Sequence, residues 1–251
     1  MVEQGSLYDE PAVYEMLFRG RHHDFDFYRA AAARWGSAFV LDVGTGTGRI
    51  AFELAARGHH VFGIDTSRAM LARLERRLKE VDPAIRERIQ WAQTTAEAHP
   101  QAASFDLAIC PFNGIAHCGE PTELAPFLAA LRGHLRPGGC FVFDVLVMDP
   151  RRCREERNDF PWFRHPATGG VCRATDRRWF DPSSGVLETS LEIRFMEEER
   201  PPQSLSLRMT LHSVGAWEAA LADQGFVVQA TEALGDVVGI VAEPAPSPTV
   251  V

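Results

Sequence analysis

Apolar residues fall into two rhythms along this chain. Short, mostly apolar blocks at Phe39–Val43, His60–Ile64, Ile89–Gln93, Phe105–Cys110 and Cys140–Val147 have the length and continuity of strands buried on both faces. Between them the apolar positions move to helical spacing. Ile50–Arg57 stops at Gly58, a C-cap residue. Ser67 sits where an N-cap belongs, before a helix over 68–80 with Met70, Leu71, Leu74 and Leu78 on one face, and Thr122–Leu135 forms another. Upstream, Val13, Met16, Leu17, Phe25, Tyr28, Ala32 and Trp35 predict two helices broken around Gly20–His23. Strands and helices thus alternate five times in about 110 residues, which implies a mainly parallel, doubly wound sheet with right-handed crossovers.

The rhythm changes after residue 150. Residues 151–165 are rich in charge and show no clear period. Residues 171–181 and 186–195 alternate and are separated by Pro-Ser-Ser-Gly, a hairpin signal, and Leu205–Leu211 offers a third strand. A helix over 216–224 and two closing strands, 226–231 and 236–242, follow; Arg136-Pro-Gly-Gly reads as a turn ahead of the strand at Cys140. The expected organisation is a single domain over 1–251, with a helical cap over 1–36, a β insertion over 151–211 and a loose Pro-rich tail over 244–251.

The chain has 251 residues, 45% of them hydrophobic, enough for one α/β domain with an insertion. Its net charge of −8 disfavours a phosphate backbone as main partner. Five cysteines are scattered at Cys110, Cys118, Cys140, Cys153 and Cys172, without metal spacing, as suits a reducing compartment. With no charged-then-apolar leader and no long apolar run, the chain is expected to be cytoplasmic, without a nucleic-acid or membrane partner and without a bound metal.

The chemistry concentrates in FVLDVGTGTG, residues 39–48. Gly44, Gly46 and Gly48 separate a strand from a helix, so missing β-carbons let a ligand lie against the backbone and the helix start offers free N–H groups. Dinucleotide folds want G-x-G-x-x-G, and here Arg49 falls where the third glycine belongs. Asp42 just before the glycines repels a pyrophosphate and attracts an ammonium group. Asp65 ends the next strand, where its carboxylate can accept from both hydroxyls of a ribose.

Asp42, the three glycines and Asp65 at this distance resemble the class I S-adenosylmethionine-dependent methyltransferases. The likeness continues through VFGIDTSRAML, FDLAIC, HLRPGGCFVFDV and the N-terminal SLYDEPAVYEMLF. It reaches RWFDPSSGVLE and ALADQGFVV, which resemble a small-molecule branch, glycine and sugar N-methyltransferase-like, whose antiparallel insertion covers the active site. The resemblance spans nearly the whole chain. It implies a Rossmann-like, doubly wound, mainly parallel seven-stranded sheet, and S-adenosyl-L-methionine as cofactor. It implies cofactor contacts from Tyr14, Asp42, Gly44, Thr45, Gly46, Gly48, Arg49, Asp65, Thr66, Thr95, Ala96, Cys110, Pro111 and Phe112. It implies acceptor contacts from Tyr8, Asn113, His117 and Asp144. One departure stands out: QTTAEAHP puts Thr95 where the family shows an Asp that reaches the adenine amino group, which shifts recognition toward the Ala96 backbone.

Several residues carry two readings. Arg49 either reaches the cofactor carboxylate or lies exposed on its helix. Asp42 either faces the cofactor or ties down the loop, and Asp65 either binds a ribose or caps a helix. Tyr8 and Tyr14 either fold over the cofactor or pack helices. Asp144 is a substrate contact or a core residue. His117 is a general base or merely holds its loop. The expected reaction is in-line displacement at the sulfonium methyl, governed by positioning, which supplies up to about 7–11 kcal/mol in intramolecular models. A hydroxyl acceptor would also use a base, worth about 10²–10⁴-fold, with His117 as candidate. A homodimer fits this class. The alternatives are a protein of the same fold that binds the cofactor without transferring methyl, and an enzyme acting on a macromolecule.

Overall fold

A computed structural model describes residues 3–22, 24–100, 103–147, 155–197 and 199–246. His23, Cys153, the charged run over 151–154 and the tail from 247 lie outside these residues. In chain order the elements are β1 (Glu3–Ser6), α1 (Pro11–Phe18), α2 (Phe25–Ala32), β2 (Phe39–Val43), α3 (Arg49–Ala55), β3 (His60–Asp65), α4 (Arg68–Leu78), α5 (Pro83–Arg86) and β4 (Ile89–Gln93). They continue with β5 (Phe105–Cys110), α6 (Pro121–His134), β6 (Leu135–Leu146), β7 (Glu156–Asp159), β8 (Phe163–Arg164), β9 (Val171–Asp181), β10 (Val186–Phe195), β11 (Gln203–Thr210), α7 (Val214–Asp223), β12 (Phe226–Leu234) and β13 (Val237–Pro244). Among the described residues, no helix is long and apolar enough to cross a membrane.

The chain divides into two compact units, one formed from 1–21 with 148–211 and the other from 22–147 with 212–251. The larger unit holds the seven-stranded sheet, ordered β12-β13-β6-β5-β2-β3-β4. β6, β5, β2, β3 and β4 run parallel to one another, and β13 and then β12 extend the β6 side, each antiparallel to its neighbour. Alternation puts Leu41, Phe141 and Phe143 on one face against Phe127 and Leu128 of α6 and Trp217 and Leu221 of α7. Val40, Leu107, Ile109 and Val142 face Phe27 and Tyr28 of α2 and Leu54 of α3. Strand order reverses between β2 and β5, the position where open α/β sheets bind ligands beyond the carboxyl ends of their strands.

The Arg136-Pro-Gly-Gly segment is a correction. It is not a turn ahead of the strand but part of β6, whose pairing with β5 shifts register between Phe105 and Leu107. Gly139 lets the bulge press against the β5 backbone: a β-carbon there would stand 3.0 Å from the Asp106 carbonyl oxygen.

The smaller unit is a sheet ordered β1-β11-β10-β9-β7, with β8 on β9. The hairpin pairs Val186 with Asp181 through Phe195 with Cys172. Its apolar face (Cys172, Ala174, Leu191, Ile193 and Leu205) packs against Leu7 and Val13, with Tyr14 and Leu17 beside them. The charged run after 150 yields two short strands, and β1 is a strand that the sequence pattern did not announce.

Candidate active site

β2 lies between β3 and β5, placing Asp42 beside Gly63 and Ile109. The glycines that follow turn left-handed, with φ of 70°, 57° and 84° at Gly44, Gly46 and Gly48, a region closed to most side chains. Their uses differ. A β-carbon on Gly44 would meet nothing within 4 Å, so that face is open. One on Gly48 would stand 2.9 Å from the Phe52 ring and 3.2 Å from Leu74, so Gly48 serves helix packing.

Four amides of the turn ahead of the helix are already paired. Gly44 and Thr45 donate to the Ile64 carbonyl at 2.8 and 3.0 Å, Gly46 to Asp65 Oδ2 at 2.8 Å, and Gly48 to the Thr45 carbonyl at 2.9 Å. These bonds hold the turn in shape from within.

Asp42 is buried, and Oδ2 accepts from Thr45 Oγ1 at 2.7 Å. Oδ1 is also buried and meets no hydrogen-bond partner. Burial pushes this carboxyl up to about 7; Thr45 and Arg49 pull the other way, and Asp65 adds to the rise. Asp65 is partly buried, accepts from the amides of Gly46 and Ser67, both at 2.8 Å, and is raised above the ordinary carboxylate range by burial. It thereby ties the glycine turn to the start of α4, and its carboxylate has lone pairs beyond these two bonds. Thr66 beside it is exposed.

Beyond β5, Cys110 and Pro111 are buried, Phe112 is partly buried, and a short 3₁₀ helix over Gly114–Cys118 carries an exposed His117. Thr95 is exposed and caps a turn, its hydroxyl accepting from the Ala98 amide at 3.3 Å. Ala96 is buried, and its carbonyl meets His134 Nε2 at 2.8 Å.

Arg49 is partly buried: it pairs with both oxygens of buried Asp24, with its guanidinium 5.1 Å from the Phe25 ring and 5.3 Å from that of Phe112. The Asp144 carboxylate is engaged within the protein. It is buried and accepts from Tyr28 Oη at 2.5 Å and from the amides of Phe112 and Asn113 at 2.6 and 3.1 Å. Asn113 Oδ1 in turn accepts from the Leu146 amide at 3.0 Å. Tyr8 and Tyr14 belong to the smaller unit, where their rings lie 5.9 Å apart.

Asp24, Tyr28 and Gly63 were not anticipated. Asp24 and Tyr28 are four apart, so they share a helical face, and a titratable tyrosine in an apolar stripe was the available signal. Gly63 is needed because a β-carbon there would stand 2.7 Å from the Thr45 side chain.

Residues 40–139 match the model of a methyltransferase domain family. The ubiquinone biosynthesis O-methyltransferase of Hahella chejuensis is 33% identical over 128 residues, 50% of each chain. The glycine/sarcosine N-methyltransferase of Parasynechococcus marenigrum is 30% identical over 120 residues, 47% of this chain and 42% of that one. The chain thus spans about half the length of these curated relatives. An S-adenosylmethionine-bound amino pentose methyltransferase from Micromonospora echinaspora, involved in calicheamicin biosynthesis, is similar across 92% of this chain and 95% of its own, with a TM-score of 0.70 and 25% identity. The CcbJ methyltransferase of Streptomyces caelestis, with a TM-score of 0.74 and 18% identity, shares the fold over 90% of this chain and 98% of its own. The motifs, the strand order and these likenesses agree: residues 40–139 are similar to a methyltransferase domain, set in a fold shared with an S-adenosylmethionine-bound methyltransferase.

Proposed function

We propose that this protein binds S-adenosyl-L-methionine at the carboxyl edge of β2, β3 and β5 and transfers its methyl group to a nitrogen or oxygen of a small molecule. One observation carries the cofactor reading: a buried carboxylate oxygen on Asp42 that lacks a partner, one turn from the open face of Gly44. An uncompensated buried carboxylate is costly, and a cation offsets that cost. The donor set fits the rest of the molecule, since Asp65 at the end of β3 retains lone pairs for a diol.

When bound, the cofactor supplies a methyl group on a sulfonium, an electrophile with a neutral leaving group. The chain's work is to orient. Asp42 and the glycine turn hold the amino-acid end, Asp65 the ribose, the Thr95–Ala96 segment the base, and Cys110, Pro111 and Phe112 border the sulfonium. His117 and Asn113 lie in the loop that would meet the acceptor. An amine needs only to arrive unprotonated, whereas a hydroxyl loses its proton to a base, the role assigned to His117. The acceptor class is supported by the O-methyl, N-methyl and amino-sugar activities named for the relatives.

Calorimetry with S-adenosylmethionine and S-adenosylhomocysteine tests the first half: heat with both is expected, and none with the Asp65→Lys variant. Incubation with panels of small amines and phenols, reading S-adenosylhomocysteine release, tests the second. Binding without release on any acceptor would favour a binder without transferase activity. Absence of heat would remove the cofactor reading.

A further inference from the structure

The turn after β5 holds a conformation that its residues do not favour. Phe112 and Asn113 sit consecutively in the left-handed region, with φ of 61° and 58°. Asn tolerates this; Phe does not, at a cost of about 1–2 kcal/mol. Such strain persists only where surrounding groups over-determine it, and it gathers at functional sites.

Here the over-determination is visible. The two successive amides donate to one carboxylate, Phe112 N to Asp144 Oδ1 and Asn113 N to Asp144 Oδ2. The convergence and the left-handed pair occur together at this turn. The carboxylate is fixed by the Tyr28 hydroxyl, and both residues are buried. The same helix reaches the other ligand-facing turn: Asp24 at its start holds Arg49, the first residue after the glycines, and the Arg49 guanidinium lies over the Phe112 ring. One short helix therefore braces the turns that follow β2 and β5, the two strands flanking the reversal of sheet order.

We infer that Tyr28 and Asp144 are positioning residues: with Asp24 and Arg49 they lock the Phe112–Asn113 turn in its strained form, and this fixed form is what S-adenosylmethionine binds. The inference rests on the cofactor reading above. In this account neither residue touches the cofactor. They hold the wall that does, and preorganisation appears as affinity.

Tyr28→Phe removes one hydroxyl and keeps the ring; Asp144→Asn replaces two acceptors with one. The expected result for Tyr28→Phe is a melting temperature close to wild type and at least tenfold weaker S-adenosylmethionine binding by calorimetry. Amide exchange should quicken at residues 111–118 while β5 keeps its protection. Asp144→Asn should exceed it on each readout; if that variant does not fold, Tyr28→Phe alone decides. Affinity within twofold of wild type in folded Tyr28→Phe overturns the proposal, whatever the exchange shows. A wild-type chain that gives no heat with S-adenosylmethionine defeats the cofactor reading and the inference with it, whereas heat with the wild type and equal heat with Tyr28→Phe defeats the inference alone.

Discussion

At the scale of the residue, Asp42 ties protonation to ligand binding. Its carboxyl titrates near 7 because burial disfavours the charge. A folded-state value above the ordinary 3.8 means that the folded chain holds the proton more tightly than the unfolded one. Its ionisation therefore erodes stability as pH rises from about 4 to 7, and no further above that. A cationic ligand favours the ionised form, so S-adenosylmethionine affinity should fall on acidification below about 7, approaching tenfold per pH unit, with proton release on binding at pH 6. Calorimetry in buffers of different ionisation enthalpy reads both effects. Asp42→Asn should flatten the profile, weaken binding at pH 8 and raise the melting temperature of the free protein there. The glycines separate two losses. Gly48→Ala should cost about 2–4 kcal/mol of stability, through overpacking and a left-handed φ. Gly44→Ala should cost about 1–2 kcal/mol but weaken S-adenosylmethionine binding at least tenfold, because its methyl enters the open face. Denaturant unfolding beside calorimetry tells the two apart. The glycine spacing and both acids were legible because they are local. The roles of Arg49 and Asp144 were not, because their partners, Asp24 and Tyr28, lie 25 and 116 residues away.

At the scale of the element, caps and periods carried the reading. Ser67 accepts from the Met70 amide at 3.2 Å, as a helix start should, and Ser67→Ala is expected to lower stability by about 1 kcal/mol in denaturant unfolding. The hairpin was found because Pro-Ser-Ser-Gly interrupts two alternating runs, and Gly185 takes the left-handed φ of 71° that its turn requires. The start of β6 was misread for the same kind of reason. Pro-Gly-Gly has the composition of a turn, yet neighbouring β5 holds it as a bulge within a strand, and tertiary pairing overrides local preference.

At the scale of the whole molecule, the sequence disclosed the doubly wound sheet and the inserted strands, since each segment there announces its own period. It did not disclose that the N-terminal segment forms one compact unit with the insertion. EQGS has no alternation, and it is a strand only because β11 offers an edge: Glu3 through Ser6 pair in parallel with Gln203 through Ser206. Removing residues 1–6 should therefore bare that edge, and amide exchange should quicken at 203–206 while β2 and β5 remain protected. The same pairing bears on how the chain is made. The partner of Glu3 is Gln203, so β1, once synthesised, waits for about 200 more residues, about 10–40 s at 5–20 residues per second. Throughout that interval the apolar side of α1, with Val13 and Leu17, has no sheet to cover it. Synthesis of this protein thus passes through a stage in which the apolar side of α1 is uncovered, open to chaperones or to aggregation.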